Sequence, residues 1–197
     1  MKKMKTRTLV FLALMAAVAT ILMYFEMPLP FMPPFLKLDL SSLPVVLTSF
    51  IMGPVQSLFV VLVKDLVHLM STQTGGVGEL ADFIMTAAFS LTAGGLYHGM
   101  KKTHRGVVMG CVTGILAITV AALAANYFLL IPFYSKIMPI EAIVAACNAL
   151  NSNINDISGY YWFGVLPFNL IKGTVVCLVT VFTYKRLAKA VKMDDYL

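Results

Sequence analysis

Charged residues are scarce in this chain of 197 residues. They account for 12% of it, hydrophobic residues account for 59%, and the mean hydropathy is +0.86. A soluble domain carries about 25% charged residues, so the composition excludes a soluble globular enzyme, a disordered chain and a nucleic-acid-binding module. Cysteine is also scarce. Cys111, Cys147 and Cys177 have no CxxC spacing and lie in or beside apolar stretches, which excludes a disulfide framework and a zinc site.

Motifs for catalysis and nucleotide binding are absent. The sequence has no GxxxxGKS/T phosphate loop, no HExxH, no GxSxG and no Rossmann fingerprint. We therefore predict no enzymatic activity, no catalytic or metal site and no cofactor. If the protein moves a substrate uphill, the energy must come from an ion gradient or from a partner.

Long apolar runs predict an all-α integral membrane protein, because a spanning helix needs about 20 mostly apolar residues. We predict one membrane domain, 1–197, built as a bundle of six transmembrane helices. The predicted spans are 7–26, 42–52, 54–70, 79–98, 106–131 and 160–184. Prolines make 27–41 an apolar outer loop without helix, and a short helix is expected in the outer loop 133–159. A signal peptide is the alternative for the first run, but no polar region follows where a peptidase would cut.

Lysine and arginine are distributed unevenly between the two predicted sides. Eleven of the fifteen lie on the side that holds both termini, whereas the opposite side has only Lys37 and Lys136. The positive-inside rule therefore predicts that both termini are cytoplasmic. The same distribution accounts for the net charge of +6 through topology and attraction to anionic membrane lipid, without nucleic acid as a partner.

Polar side chains inside the predicted spans are candidates for function. Inserting a charged side chain at the middle of the bilayer costs about 2.5–3.5 kcal/mol of free energy, so such a group is expected to face the bundle interior and to pair with another group or a ligand. Lys64 and Asp65 are predicted to form a structural ion-pair set with His68, one turn beyond Lys64. Asp82 and Glu79, also one turn apart, are predicted to supply counter-charges to a buried lysine.

Asn169 and Lys172 lie three residues apart and so share one helix face. Pro167 is predicted to kink that helix. A rise of about 1.5 Å per residue places Lys172 near the bilayer midplane and Asn126 near the outer end of the fifth span. These depths predict a polar pocket open to the outside. The ammonium of Lys172 and the amides of Asn126 and Asn169, with no second full charge, favour a neutral, flat, carbonyl-rich ligand. The alternative role for the two asparagines is hydrogen bonding between helices.

Small residues predict where helices approach each other closely. Gly106, Gly110 and Gly114 form a GxxxGxxxG stripe suited to packing within the chain, and Ala13 and Ala17 form an AxxxA pair suited to a second membrane protein. Aromatic residues at the outer ends of the spans are expected to form an interfacial belt, some of them able to stack on a planar ligand. They are Phe31, Phe35, Tyr127, Tyr160, Tyr161 and Trp162.

Seven short motifs, spread over nearly the whole chain, carry a family resemblance. They are PPFLKLD at 33–39, SLP at 42–44, GP at 53–54, KDLVHL at 64–69, GGVGELA at 75–81, NY at 126–127 and PFNLIK at 167–172. Together they resemble the S component of energy-coupling factor (ECF) vitamin transporters, of the riboflavin-binding type. Asp65 and Asp82 stand where that family is expected to have Asn.

The resemblance implies six helices, no ATPase within the chain, and binding of one riboflavin molecule from outside the cell. It implies that Asn126, Asn169 and Lys172 hydrogen-bond the isoalloxazine ring. The other ligand-binding residues that it implies are Leu38, Asp39, Gly78, Glu79 and Tyr127. The Ala13 and Ala17 pair matches a motif that docks on a transmembrane coupling subunit, and two cytoplasmic ATPases complete the assembly.

The predicted function is therefore capture of riboflavin in a bacterial cell membrane for a multi-component importer that takes up vitamin B2. Three alternatives stay open. The first is an S component for another vitamin or a flavin analogue. The second is a small membrane enzyme that uses Asp65, His68, Glu79 and Asp82 as acid–base or metal groups. The third is an ion-coupled transporter, although the chain lacks the internal repeat typical of that class.

Overall fold

Helices make up most of the computed structural model, which describes residues 6–30, 32–33, 36–72 and 74–190. The α-helices are α1 (Thr6–Tyr24), α2 (Ser42–Ile51), α3 (Pro54–His68), α4 (Val77–Gly99), α5 (His104–Ala125), α6 (Ile131–Tyr134), α7 (Ile140–Asn148), α8 (Ile157–Gly159) and α9 (Leu166–Ala190). A 3₁₀ turn, Leu69–Ser71, extends α3. Phe31 and Phe35 of the predicted aromatic belt lie outside the described ranges, as do four of the eleven basic residues counted above, Lys2, Lys3, Lys5 and Lys192.

Five helical stretches in the described part of the chain are long and apolar enough to cross a membrane. They are Thr6–Tyr24, Pro54–Ser71, Val77–Gly99, His104–Tyr134 and Ile157–Lys189. The prediction of a mainly helical membrane protein is confirmed. The sixth apolar helix, α2, has ten residues and is only about 15 Å long at 1.5 Å per residue. Nine of its ten residues are buried, so α2 lies inside the bundle.

Two prolines are each preceded by a π-helical segment. Asn126–Leu130 lies just before Pro132, and Tyr160–Val165 lies just before Pro167. Proline lacks the N–H and clashes with the carbonyl one turn earlier, and a wider turn relieves both problems. The kink predicted at Pro167 thus takes the form of a π segment, and the two segments turn Asn126 and Tyr160 into the protein interior.

The proline-rich loop is folded back on itself as a small hairpin. Strand β1 (Met27–Pro28) pairs antiparallel with strand β2 (Lys37–Leu38), with Met27 opposite Leu38. Glu26, beside β1, forms an ion pair with Lys37. The loop has no helix among its described residues, as predicted, and the strand pairing fixes its two ends against each other.

The glycine stripe of α5 packs against α4, as predicted for packing within the chain. A Cβ at Gly110 would lie 2.5 Å from the carbonyl oxygen of Ala93, and one at Gly114 would lie 2.6 Å from Cδ2 of Phe89. Real Cβ atoms do not approach other atoms so closely. The absence of side chains at these positions therefore sets the distance between α4 and α5.

We predict that Gly110→Ala lowers the thermal midpoint of the detergent-solubilised protein by several degrees, since overpacking costs about 1–3 kcal/mol. Gly95→Ala on α4 is the matched control, because Gly95 has no atom within 4 Å of the added methyl group. It should leave the midpoint unchanged or raise it. Equal midpoints for the two variants would contradict the proposed role of the stripe.

Candidate functional site

A cavity of about 540 Å³ opens at the end of the bundle that carries the β1–β2 hairpin. Its volume falls in the range of about 300–1,000 Å³ that is usual for small-molecule sites. Its walls come from α1, the hairpin, the connection between α3 and α4, and the ends of α4, α5 and α9. Apolar side chains line part of it, namely Leu36, Met85, Ile118, Leu130 and Phe168.

Five charged residues form a buried network beside this cavity, which we call the charged cluster: Asp39, Lys64, Asp65, Asp82 and Lys172. Nζ of Lys64 lies 2.5 Å from Oδ1 of Asp65 and 2.5 Å from Oδ2 of Asp82. Nζ of Lys172 lies 2.7 Å from Oδ2 of Asp39 and 3.8 Å from Oδ1 of Asp82. Asp82 therefore bridges the two lysines and joins α3 to α9.

His68 does not belong to the Lys64–Asp65 set, and that prediction was wrong. Its Nδ1 lies 2.9 Å from Oε1 of Glu79, while the hydroxyls of Thr72 and Thr74 donate to Oε2 of Glu79 at 2.9 and 3.1 Å. His68 is one turn beyond Lys64, at the level of the first turn of α4, where Glu79 lies. Glu79 consequently fastens the α3–α4 connection and does not serve a buried lysine.

The two asparagines are held by local hydrogen bonds. Nδ2 of Asn126 donates to the carbonyl of Ala122 at 2.9 Å, and its Oδ1 accepts from the hydroxyl of Tyr160 at 2.8 Å. Nδ2 of Asn169 donates to the carbonyl of Val165 at 2.8 Å. Among the described residues, Oδ1 of Asn169 accepts no hydrogen bond, so this oxygen is an acceptor available at the cavity wall.

Six of the eight predicted ligand-binding residues line the cavity: Asp39, Gly78, Glu79, Asn126, Asn169 and Lys172. The other two are not among its lining residues. Leu38 packs against a buried apolar cluster that includes Leu36 and Phe168. Tyr127 is 60% exposed, with its ring beside those of Phe128 and Tyr161.

Two features of the cavity were not predicted from the sequence. The expectation of no second full charge was wrong, because Asp39 and Asp82 both lie against Lys172. The counter-charge that was predicted from Asp82 to a buried lysine is confirmed by the same contacts. Tyr160 was grouped with the interfacial belt, whereas it is buried and hydrogen-bonded to Asn126. Its position seven residues before Pro167 was the available signal, since a helix distorted by proline changes which side chains face inward.

We predict that Lys64→Met strongly destabilises the protein, by about 3–5 kcal/mol, because it leaves buried carboxylates without their counter-ion. The matched control is Lys37→Met. Lys37 also pairs with a carboxylate, but about a third of each side chain is exposed, and such pairs contribute about 0–1 kcal/mol.

Thermal unfolding in detergent without ligand checks this prediction. The double variant Lys64→Met with Asp65→Asn should recover part of the loss, because it removes the carboxylate that pairs with Lys64 and, among the described residues, with no other lysine. If Lys64→Met unfolds at the same temperature as Lys37→Met, the charged cluster does not carry the stability assigned to it.

Known proteins resemble this chain over most of its length. The family model described as "ECF transporter, substrate-specific component" matches residues 7–184. The riboflavin transporter RibU of Staphylococcus aureus (strain TCH60) is 31% identical over 188 residues, which cover 95% of this chain and 94% of that protein. The riboflavin transporter FmnP of Bacillus subtilis (strain 168) is 28% identical over 179 residues, covering 89% of each.

A solved structure has the same fold. It is described as "Structure and mechanism of the S component of a bacterial ECF transporter", with a TM-score of 0.74 and 32% identity, covering 94% of this chain and 97% of that one.

The four residues that the enzyme alternative would use do not form one site. Asp65 and Asp82 pair with Lys64, whereas His68 pairs with Glu79. The chain is a transporter component and not an enzyme: it belongs to the family of substrate-specific components of ECF transporters.

Proposed function

We propose that this chain is the riboflavin-binding subunit of an ECF-type importer. One observation carries the proposal. Asn126, Asn169 and Lys172, which come from two distant segments of the sequence, meet in one cavity of suitable volume. The names of the relatives, which are riboflavin transporters, support the choice of ligand.

The cavity offers the two kinds of surface that a flavin needs. The isoalloxazine ring is flat and largely apolar, and Met85, Ile118 and Phe168 supply apolar wall for it. Its pyrimidine edge carries carbonyl oxygens and an N–H group. The ammonium of Lys172 can donate to a carbonyl, and the free Oδ1 of Asn169 can accept from the N–H.

We propose a six-span topology in a bacterial cell membrane, with both termini in the cytoplasm and α2 as the short second span. The basic residues Lys101, Lys102 and Arg105 lie at the α4–α5 turn, at the bundle end opposite the hairpin and the cavity. The positive-inside rule assigns that end to the cytoplasm. The cavity then opens to the outside, where the vitamin arrives.

We propose that Ala13 and Ala17 form the docking face for the coupling subunit of an ECF module, which also contains two ATPases. Both alanines are exposed on α1, next to the exposed side chains of Leu14 and Val18. Small residues let two helix backbones approach closely in a membrane. The chain itself has no nucleotide-binding motif, so the energy for transport comes from the module.

We predict that Lys172→Met weakens riboflavin binding by roughly 10–100-fold, because it removes a hydrogen bond from a charged group that is worth about 1.5–3 kcal/mol. Asn169→Ala removes a neutral hydrogen bond worth about 0.5–1.5 kcal/mol and should weaken binding by roughly 2–10-fold. Quenching of riboflavin fluorescence by the purified protein measures the affinity. Asn153→Ala and Lys136→Met, which change exposed residues of the same types outside the cavity, are the matched controls and should bind as the native protein does. A folded native protein that does not bind riboflavin would overturn the proposal.

We predict that Ala13→Leu and Ala17→Leu weaken association with the coupling module at least about tenfold while riboflavin affinity stays the same, since a bulky side chain keeps the helices apart. Co-purification with the module, in parallel with riboflavin titration, provides the two readouts. Ala124→Leu changes an exposed alanine of α5 and is the control. Retained association of both α1 variants would exclude this face as the docking surface.

A further inference from the structure

The side-chain amide of Asn126 is held at both of its ends. Its Nδ2 donates to the carbonyl of Ala122, one turn earlier, at 2.9 Å, and its Oδ1 accepts from the hydroxyl of Tyr160 at 2.8 Å. An amide turned by half a rotation would bring its oxygen against the carbonyl oxygen of Ala122, where there is no donor for it. The positions of the nitrogen and the oxygen are therefore fixed.

These two bonds determine which group Asn126 offers to the cavity that it lines. An asparagine amide has two N–H groups, and one of them is used by the carbonyl of Ala122. Its oxygen is engaged by the hydroxyl of Tyr160, so the second N–H is the group left for a ligand. Asn126 thus presents a donor, which suits a carbonyl oxygen.

Asn169 provides a comparison within the same cavity. Its Nδ2 also donates to the carbonyl four residues earlier, that of Val165, at 2.8 Å. In the part of the chain that the structure describes, however, no hydroxyl donates to its Oδ1. The two asparagines therefore share one anchoring bond and differ in the second, which Asn126 obtains from Tyr160.

The hydroxyl of Tyr160 is itself held in place by its surroundings. The ring lies in a buried apolar cluster that includes Ile131 and Ile154. The helical turn before it is fixed at its start, because Oδ1 of Asp156 accepts from the N–H of Gly159 at 2.6 Å. The position of the hydroxyl is therefore set by packing at this end of the bundle, before any ligand enters.

We propose that Tyr160 is a positioning residue for riboflavin binding, which acts through Asn126 by holding its amide so that an N–H faces the ligand. The inference rests on the proposed function and adds to it a residue outside the predicted ligand-binding set. With only the bond to Ala122, the amide could rotate about that bond, and ordering it again would weaken binding. The hydroxyl of Tyr160 removes this cost in advance.

Tyr160→Phe tests the proposal, because it removes the hydroxyl and keeps the ring at the cavity wall. Quenching of riboflavin fluorescence should show an affinity about fivefold lower than that of the native protein, which lies within the effect of one neutral hydrogen bond. Tyr161→Phe is the matched control. This neighbouring tyrosine is not among the lining residues, and its variant should bind as the native protein does. Unchanged affinity in Tyr160→Phe would overturn the proposal.

A double-mutant cycle with Asn126→Ala separates positioning from other roles of the hydroxyl. If Tyr160 acts through Asn126, Tyr160→Phe should change the affinity by less than about twofold once residue 126 is alanine. A fivefold loss in both backgrounds would mean that the hydroxyl contacts the ligand directly or supports the fold alone. Either result would replace the positioning role.

Asn126→Asp examines the presented group without changing Tyr160. It keeps an oxygen for the hydroxyl and replaces the nitrogen by a second oxygen, which repels a ligand carbonyl, so riboflavin affinity should fall at least about tenfold. Native affinity in this variant would contradict the proposal, and this variant decides the test if Tyr160→Phe does not fold. Failure of the folded native protein to bind riboflavin overturns the proposed function instead.

Discussion

The charged cluster is the interaction on which the rest of the structure depends. Two lysines and three aspartates are buried in the interior of a membrane protein, where an unpaired charge is expensive. Because Lys64 and Asp65 come from α3, Asp82 from α4 and Lys172 from α9, these helices must meet at one point. Loss of Lys64, for example, would leave Asp65 without its counter-ion. The same atoms therefore hold the bundle together and form one side of the cavity.

Lys172 connects this network to the hairpin loop. In this structure its ammonium is 2.7 Å from Asp39, which belongs to the loop, and 3.8 Å from Asp82, which belongs to α4. Lys172 therefore has one counter-ion on the hairpin loop and a second on α4, so its charge is compensated from two elements of the fold.

Local periodicity explains which features could be predicted from the sequence. Asn169 and Lys172 share a face because helical geometry brings residues three apart together, and Gly110 and Gly114 form a stripe for the same reason. The Asp39–Lys172 pair joins residues 133 positions apart, and nothing in local pattern indicates such a contact.

Two other features depend on tertiary structure in the same way. The pairing of His68 with Glu79 depends on the relative height of α3 and α4 in the bundle. The burial of Tyr160 depends on a π segment that shifts the register of the helix, while its neighbour Trp162 stays 64% exposed.

Helix α1 contacts the charged cluster and also carries the exposed alanines, two features that were predicted separately from the sequence. Sδ of Met23 lies 3.5 Å from Nζ of Lys64, and the ring of Tyr24 lies 5.2 Å from that of His68. Ala17 is six residues earlier on the same helix, about 9 Å along the axis at 1.5 Å per residue. Helix α1 thus contributes side chains to the wall of the cavity and also carries the proposed docking face.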